Sequence, residues 1–114
     1  MGSQGKLIQR GFETREVTIE SGQPNSGVID LGGGSQGSFQ LPATFTGSDV
    51  LVQYSVDGTT FTDVPAITNE SNPQSVTTNG TYYFPIKTFN ARYARLVSSD
   101  NEGANRDIDI FLRG

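Results

Sequence analysis

The sequence predicts an all-β fold, an antiparallel β-sandwich or jelly roll of about seven or eight short strands preceded by an extended N-terminal arm. Three observations predict it. Apolar residues recur with a period of two along short runs, as in Val17 and Ile19 or in Ile108, Ile110 and Leu112. Clusters of Gly, Ser, Thr, Asn and Pro separate those runs. No segment keeps a helical period over about ten residues. With 114 residues the chain suits one domain, which we assign to residues 15–114, with the arm at residues 1–14.

The arm mixes Gly2, Ser3, Gly5 and Gly11 with the cations Lys6 and Arg10 and the apolar Leu7, Ile8 and Phe12. From Arg15 the period becomes two, giving a first strand at 15–21 that ends in the turn residues Ser21-Gly22 and Pro24 to Gly27. A second strand at 28–31 stops at Gly32-Gly33-Gly34, a run that holds no single strand conformation cheaply. A third at 38–41 ends at Pro42, which has no N–H to donate. Residues 50–56 and 59–64 flank Asp57-Gly58 and read as a tight hairpin, with Val50, Val52, Tyr54 and Val56 on one face. Residues 66–80 read as loop with one weak strand near Val76. Further strands are expected at 82–86, 91–98 and 107–112, the last sending Ile108, Ile110 and Leu112 one way and Asp107, Asp109 and Phe111 the other.

Composition removes much chemistry. The chain has no Cys and no His, which excludes thiolate and imidazole metal sites, Cys nucleophiles, Ser-His-Asp arrangements and disulfides. A net charge of −4 argues against nucleic acid, whose phosphates need clustered cations. No apolar run is long enough to span a bilayer, and the N-terminus lacks a secretory signal pattern, so no membrane partner is expected. The Met1-Gly2 start misses the myristoylation pattern, which wants Ser or Thr where Lys6 stands.

Four constellations bear on chemistry. Residues 32–37 spell G-x-G-x-x-G, but a dinucleotide site needs a helix after that string and none is expected. Asp107 and Asp109, with Asp100 and Glu102 nearby, could offer oxygens to Ca²⁺, yet carboxylates on an outward strand face are ordinarily solvated, and nothing there would split two pKa values for acid–base work. Tyr54, Tyr82, Tyr83 and Tyr93 could form a stacking platform, but core use is the stronger reading and no Trp is present. Arg92 and Arg95 read as strand residues that guard sheet edges or reach a carboxylate. The expectation is therefore no catalytic residues, no metal site and no cofactor. Asn69-Glu70-Ser71 and Asn79-Gly80-Thr81 match a glycosylation sequon but read as turn residues.

The hairpin "Y-S-V-D-G-T-T-F-T-D-V" at 54–64, followed by "F-N-A-R-Y-A-R-L" at 89–96, resembles the discoidin (F5/8 type C) jelly roll, in which an "S-x-D-G-x-x-[FW]" hairpin precedes an "A-R-Y-x-R-[LI]" strand. The chain departs from the eukaryotic family in lacking its cysteines and Trp residues and in being short. Together with "V-T-I-x-S-G" at 17–22, "I-D-L-G-G" at 29–33 and "Q-L-P" at 40–42, the compact form resembles small virion proteins of tailed bacteriophages.

That resemblance implies a non-catalytic virion structural protein, foremost a head decoration or cement protein that binds the major capsid protein lattice as a homo-oligomer, a trimer by preference. It implies assembly in the host cytoplasm and residence on the capsid surface. Leu7, Ile8, Arg10 and Phe12 are the expected partner contacts. The alternatives are a carbohydrate-binding or adhesion module using Tyr82 and Tyr83, and a tail or baseplate component.

Overall fold

Period-two patterning becomes two facing antiparallel sheets in the computed structural model, which describes residues 12–114. The strands are β1 (Phe12–Ile19), β2 (Ile29–Asp30), β3 (Gln36–Gln40), β4 (Asp49–Ser55), β5 (Thr62–Asp63), β6 (Gln74–Ser75), β7 (Thr81–Tyr83), β8 (Tyr93–Ser98) and β9 (Arg106–Arg113). One sheet runs β1-β9-β3-β7. The other runs β2-β8-β4-β5, with β6 also paired to β4. A single 3₁₀ turn at Ile86–Asn90 is the helical element among the described residues.

The core lies between the sheets and is built by alternation. Ile108, Ile110 and Leu112 of β9 are buried beside Ile19 and Phe39, and face Val50, Val52, Ala94 and Leu96 of the second sheet. Sequestering each such aliphatic side chain stabilises the fold by about 1.5–3 kcal/mol. Phe39, Phe84 and Phe89 continue the core as a chain of edge-to-face contacts, with ring centroids 5.3 and 6.0 Å apart.

Several boundaries differ from the sequence expectation. β1 begins at Phe12, three residues into the segment expected to be arm, and pairs with β9 from Phe12↔Arg113 to Ile19↔Arg106. Glu13 to Glu16 are polar because an edge strand gains its order from the ladder, with little apolar alternation of its own. The expected tight hairpin is wider. Tyr54 pairs with Thr62, and residues 56–61 form a loop organised by local side-chain bonds. In that loop Asp57 Oδ1 accepts from Thr59 and Thr60 N–H at 2.9 and 3.0 Å, and Ser55 Oγ accepts from Gly58 N–H at 2.9 Å. Such bonds compete with ladder pairing. Gly58 there has φ +79, and Val56, expected to share a face with Val50 and Val52, stands 81% exposed while those two are buried. The strand expected at 82–86 ends at Tyr83, since Pro85 cannot extend a ladder and leads into the 3₁₀ turn.

Candidate functional site

The buried electrostatic centre of the molecule is Glu102. In sequence it stands with the acids Asp100, Asp107 and Asp109, yet its side chain has no exposed area. Its Oε1 accepts from Thr46 N–H at 3.0 Å and Arg106 Nε at 2.8 Å, while Oε2 accepts from Gly47 N–H at 3.1 Å and the Ser98 hydroxyl at 2.9 Å. Burial pushes its carboxyl up, but these donors, Arg106 foremost, outweigh that and hold it below the ordinary glutamate range. With four donors in place, Glu102 ties the 46–47 loop to β8 and β9 and has no free lone-pair direction turned to solvent. Its role is structural.

The other perturbed carboxylates also move downwards. Backbone N–H groups of Thr60 and Thr59 and the Ser55 hydroxyl take Asp57 to about 2. Asp30 is lowered by its two-point contact with Arg92, at 3.1 and 3.3 Å, and by the Gly32 N–H. All three are therefore ionised at neutral pH, which suits latching loops and not donating protons. Asp107 and Asp109 lie on the outer face of β9, as expected, and Asp107 accepts from the Thr18 hydroxyl at 2.7 Å. Among the described residues no three acidic side chains converge on a metal position. Arg95, expected to guard an edge or reach a carboxylate, sits instead on the interior strand β8, where it donates to Gln53 and stacks 4.5 Å above the Phe61 ring.

The surface with binding geometry is the free edge of β7. Alternation separates the two tyrosines. Tyr82 turns inward against Phe39 and its hydroxyl accepts from Thr77 N–H at 2.8 Å, whereas Tyr83 turns outward and is 85% exposed. Of the pair expected to contact a glycan, only Tyr83 presents its ring to solvent. It stands between two recesses. One, of about 240 Å³, is bounded by Gly37, Phe111 and Arg113. The other, a groove of about 500 Å³, runs between β7 and the 69–74 loop, lined among others by Asn69, Glu70, Ser71, Gln74 and Thr81.

Two latches fix the loop that walls this groove. Glu70 accepts from Ile67 N–H at 3.0 Å and Ile86 N–H at 2.8 Å, one through each carboxylate oxygen. Asn72 accepts from Val52 N–H at 2.8 Å and donates to the carbonyls of Val52 and Val64 at 2.9 and 2.7 Å. On the opposite wall, Leu41 N–H donates to Gly80 and Phe84 N–H to Gly37. The alternation of an antiparallel ladder then turns the peptide groups of Thr81 and Tyr83 away from β3, toward the groove. The only site signal in the sequence of the 69–74 loop is the sequon at Asn69-Glu70-Ser71, which reads as turn residues; the exposed member of the tyrosine pair was legible from period two once β7 was placed.

Of the expected partner contacts, Leu7, Ile8 and Arg10 lie outside the described residues, and Phe12 opens β1. No family model, curated protein or solved structure matches the chain. What fold and site define is a β-sandwich with a rigid, aromatic-bearing sheet edge.

Proposed function

We propose that this chain is a non-catalytic structural protein of a tailed-bacteriophage virion, a head decoration or cement protein that binds the capsid lattice as a homo-oligomer. A trimer matches the threefold positions of such a lattice. Its site of action is the capsid surface, after assembly in the host cytoplasm. A protein that binds only the assembled lattice stabilises it by mass action, a task of surfaces and not of reacting groups.

One observation carries the reading. All twelve acidic side chains lie from Glu13 onward, while Lys6 and Arg10, two of the eight basic ones, precede Phe12 together with Leu7 and Ile8. A basic, apolar segment thus continues directly from the edge strand of an acidic sandwich, a layout suited to attachment through that segment with the sandwich held outward. The downward shift of Asp30, Asp57 and Glu102 adds support, since each serves to hold a loop.

Incubating the purified protein with phage heads and imaging the particles tests the proposal. Density at symmetry axes of the head is the expected result; density on tails or baseplates would move the protein there, and bare particles would overturn the virion reading. Deleting residues 2–11 leaves β1 whole, so the melting temperature stays while attachment weakens. Undiminished attachment would refute the segment's role.

A further inference from the structure

We propose that the groove between β7 and the 69–74 loop is a binding site for a neutral oligosaccharide, with one sugar ring stacked on Tyr83. This goes beyond attachment to a lattice and uses a different part of the surface.

The lining sets the ligand class. Tyr83 supplies a flat apolar face, 85% exposed, against which the C–H face of a pyranose can lie. Around it stand Asn69 and Ser71 on one wall and Thr81 on the other, with the peptide groups of Thr81 and Tyr83 turned the same way. Amides, hydroxyls and peptide groups together offer both donors and acceptors, and a sugar hydroxyl is itself both. Glu70 is the one charged side chain among the described lining residues, and no described cation pairs with it. Its charge repels phosphate, sulfate and carboxylate groups, so the groove selects against anionic ligands.

Geometry favours a sugar over an added peptide strand. β-Augmentation draws its affinity from a run of main-chain bonds, whereas β7 spans only Thr81–Tyr83 before Pro85 closes the ladder. The groove is also held open in advance. Glu70 and Asn72 latch the loop through five hydrogen bonds to backbone groups, and binding to such a preformed wall needs little further ordering.

The test is titration of the ¹⁵N-labelled full chain with short linear gluco-, manno-, galacto-, xylo- and chito-oligosaccharides, with a sulfated oligosaccharide and a strand-forming peptide as comparison arms. Amide shifts for a neutral oligosaccharide confined to residues 69–85 are expected. Tyr83→Ala should weaken that binding about tenfold or more with an unchanged melting temperature, and Tyr83→Phe should retain it, because stacking uses the ring and not the hydroxyl. The proposal is overturned if no neutral oligosaccharide shifts these amides up to millimolar concentration, if shifts fall elsewhere, or if Tyr83→Ala binds like the parent. Preference for the sulfated sugar or the peptide overturns it too. Deletion of residues 2–11 leaves the titration unchanged, so attachment to particles and sugar binding fail or succeed separately.

Discussion

Arg106 Nε donates a 2.8 Å hydrogen bond to Glu102 Oε1, and the carboxylate it meets has no exposed area. Glu102 belongs to the loop after β8 and Arg106 opens β9, so the pair closes the connection between sheets while the other carboxylate bonds draw in the 46–47 loop. A buried pair of this kind adds little over an apolar replacement of both partners, but losing one partner leaves the other uncompensated.

Glu102→Gln is accordingly expected to destabilise the protein by about 3–5 kcal/mol. The amide NH₂ must face donors whichever way it is turned, because both carboxylate oxygens accept. Glu102→Met and Arg106→Met should each be damaging as well, and Glu102→Met/Arg106→Met less so than the sum of those two singles. Urea melts of these proteins and the parent measure this, and additive losses would mean that the two side chains are energetically independent.

Acid sensitivity follows from the same group and from Asp57 and Asp30. Each has a folded pKa below its unfolded one, so the folded state binds their protons more weakly. Their stabilisation is complete above the unfolded values, about 4 to 4.5, and drains as pH falls through the folded values, reaching about 2 for Asp57. The urea midpoint should be level between about pH 7 and 5.5 in respect of these groups and fall between about pH 4.5 and 2. A midpoint that rises on acidification through that lower window would contradict the assignment, and Asp57→Asn should flatten its most acidic part.

Gly37 is fixed by close approach. A Cβ there would lie 2.6 Å from the backbone oxygen of Phe111 and 3.0 Å from Leu112 Cδ2, so the β3–β9 ladder would have to part. Gly37→Ala is expected to lower stability by about 1–3 kcal/mol. Gly103→Ala, where nothing lies within 4 Å, should be neutral or slightly stabilising. Equal melting temperatures for the two variants would mean that β3 and β9 are not in this register.

The strands that alternate cleanly were legible from sequence, because burial of one sheet face imposes period two: β8 lies within the expected 91–98, and β9 and its inward Ile108, Ile110 and Leu112 fall where expected. Glu102 was not. Asp100-Asn101-Glu102-Gly103 reads as a solvated turn, and the N–H groups that draw its carboxylate inward come from Thr46 and Gly47, more than fifty positions away. The start of β1 was hidden for a related reason: Glu13 to Glu16 are polar, and their pairing is set by β9. Asp57-Gly58 correctly marked a turn, but the hydrogen bonds of Asp57 and Ser55 hold a wider loop than two residues. Tyr82 and Tyr83 read alike until alternation sent one into the core, and the wall opposite Tyr83 is held by bonds from Glu70 and Asn72 to backbone groups distant in sequence.

Asn72 therefore offers a test of how that wall is held. Its side chain makes three bonds, one accepted from Val52 N–H and two donated to the carbonyls of Val52 and Val64. Asn72→Ala strands these partly buried backbone groups and is expected to lose about 1–3 kcal/mol. Asn72→Asp can still accept from Val52 N–H but turns a carboxylate oxygen toward two carbonyls, so it should be the less stable variant at neutral pH. Protonating the new carboxyl restores one donor, and because the two carbonyls favour that neutral form its folded pKa lies above the unfolded one, so the gap between Asn72→Asp and Asn72→Ala should narrow as pH falls toward about 4 and change little below it. Thermal melts at neutral and acid pH distinguish the outcomes. If both variants match the parent, the 69–74 loop is held by Glu70 alone and the groove is less rigid than its two latches imply.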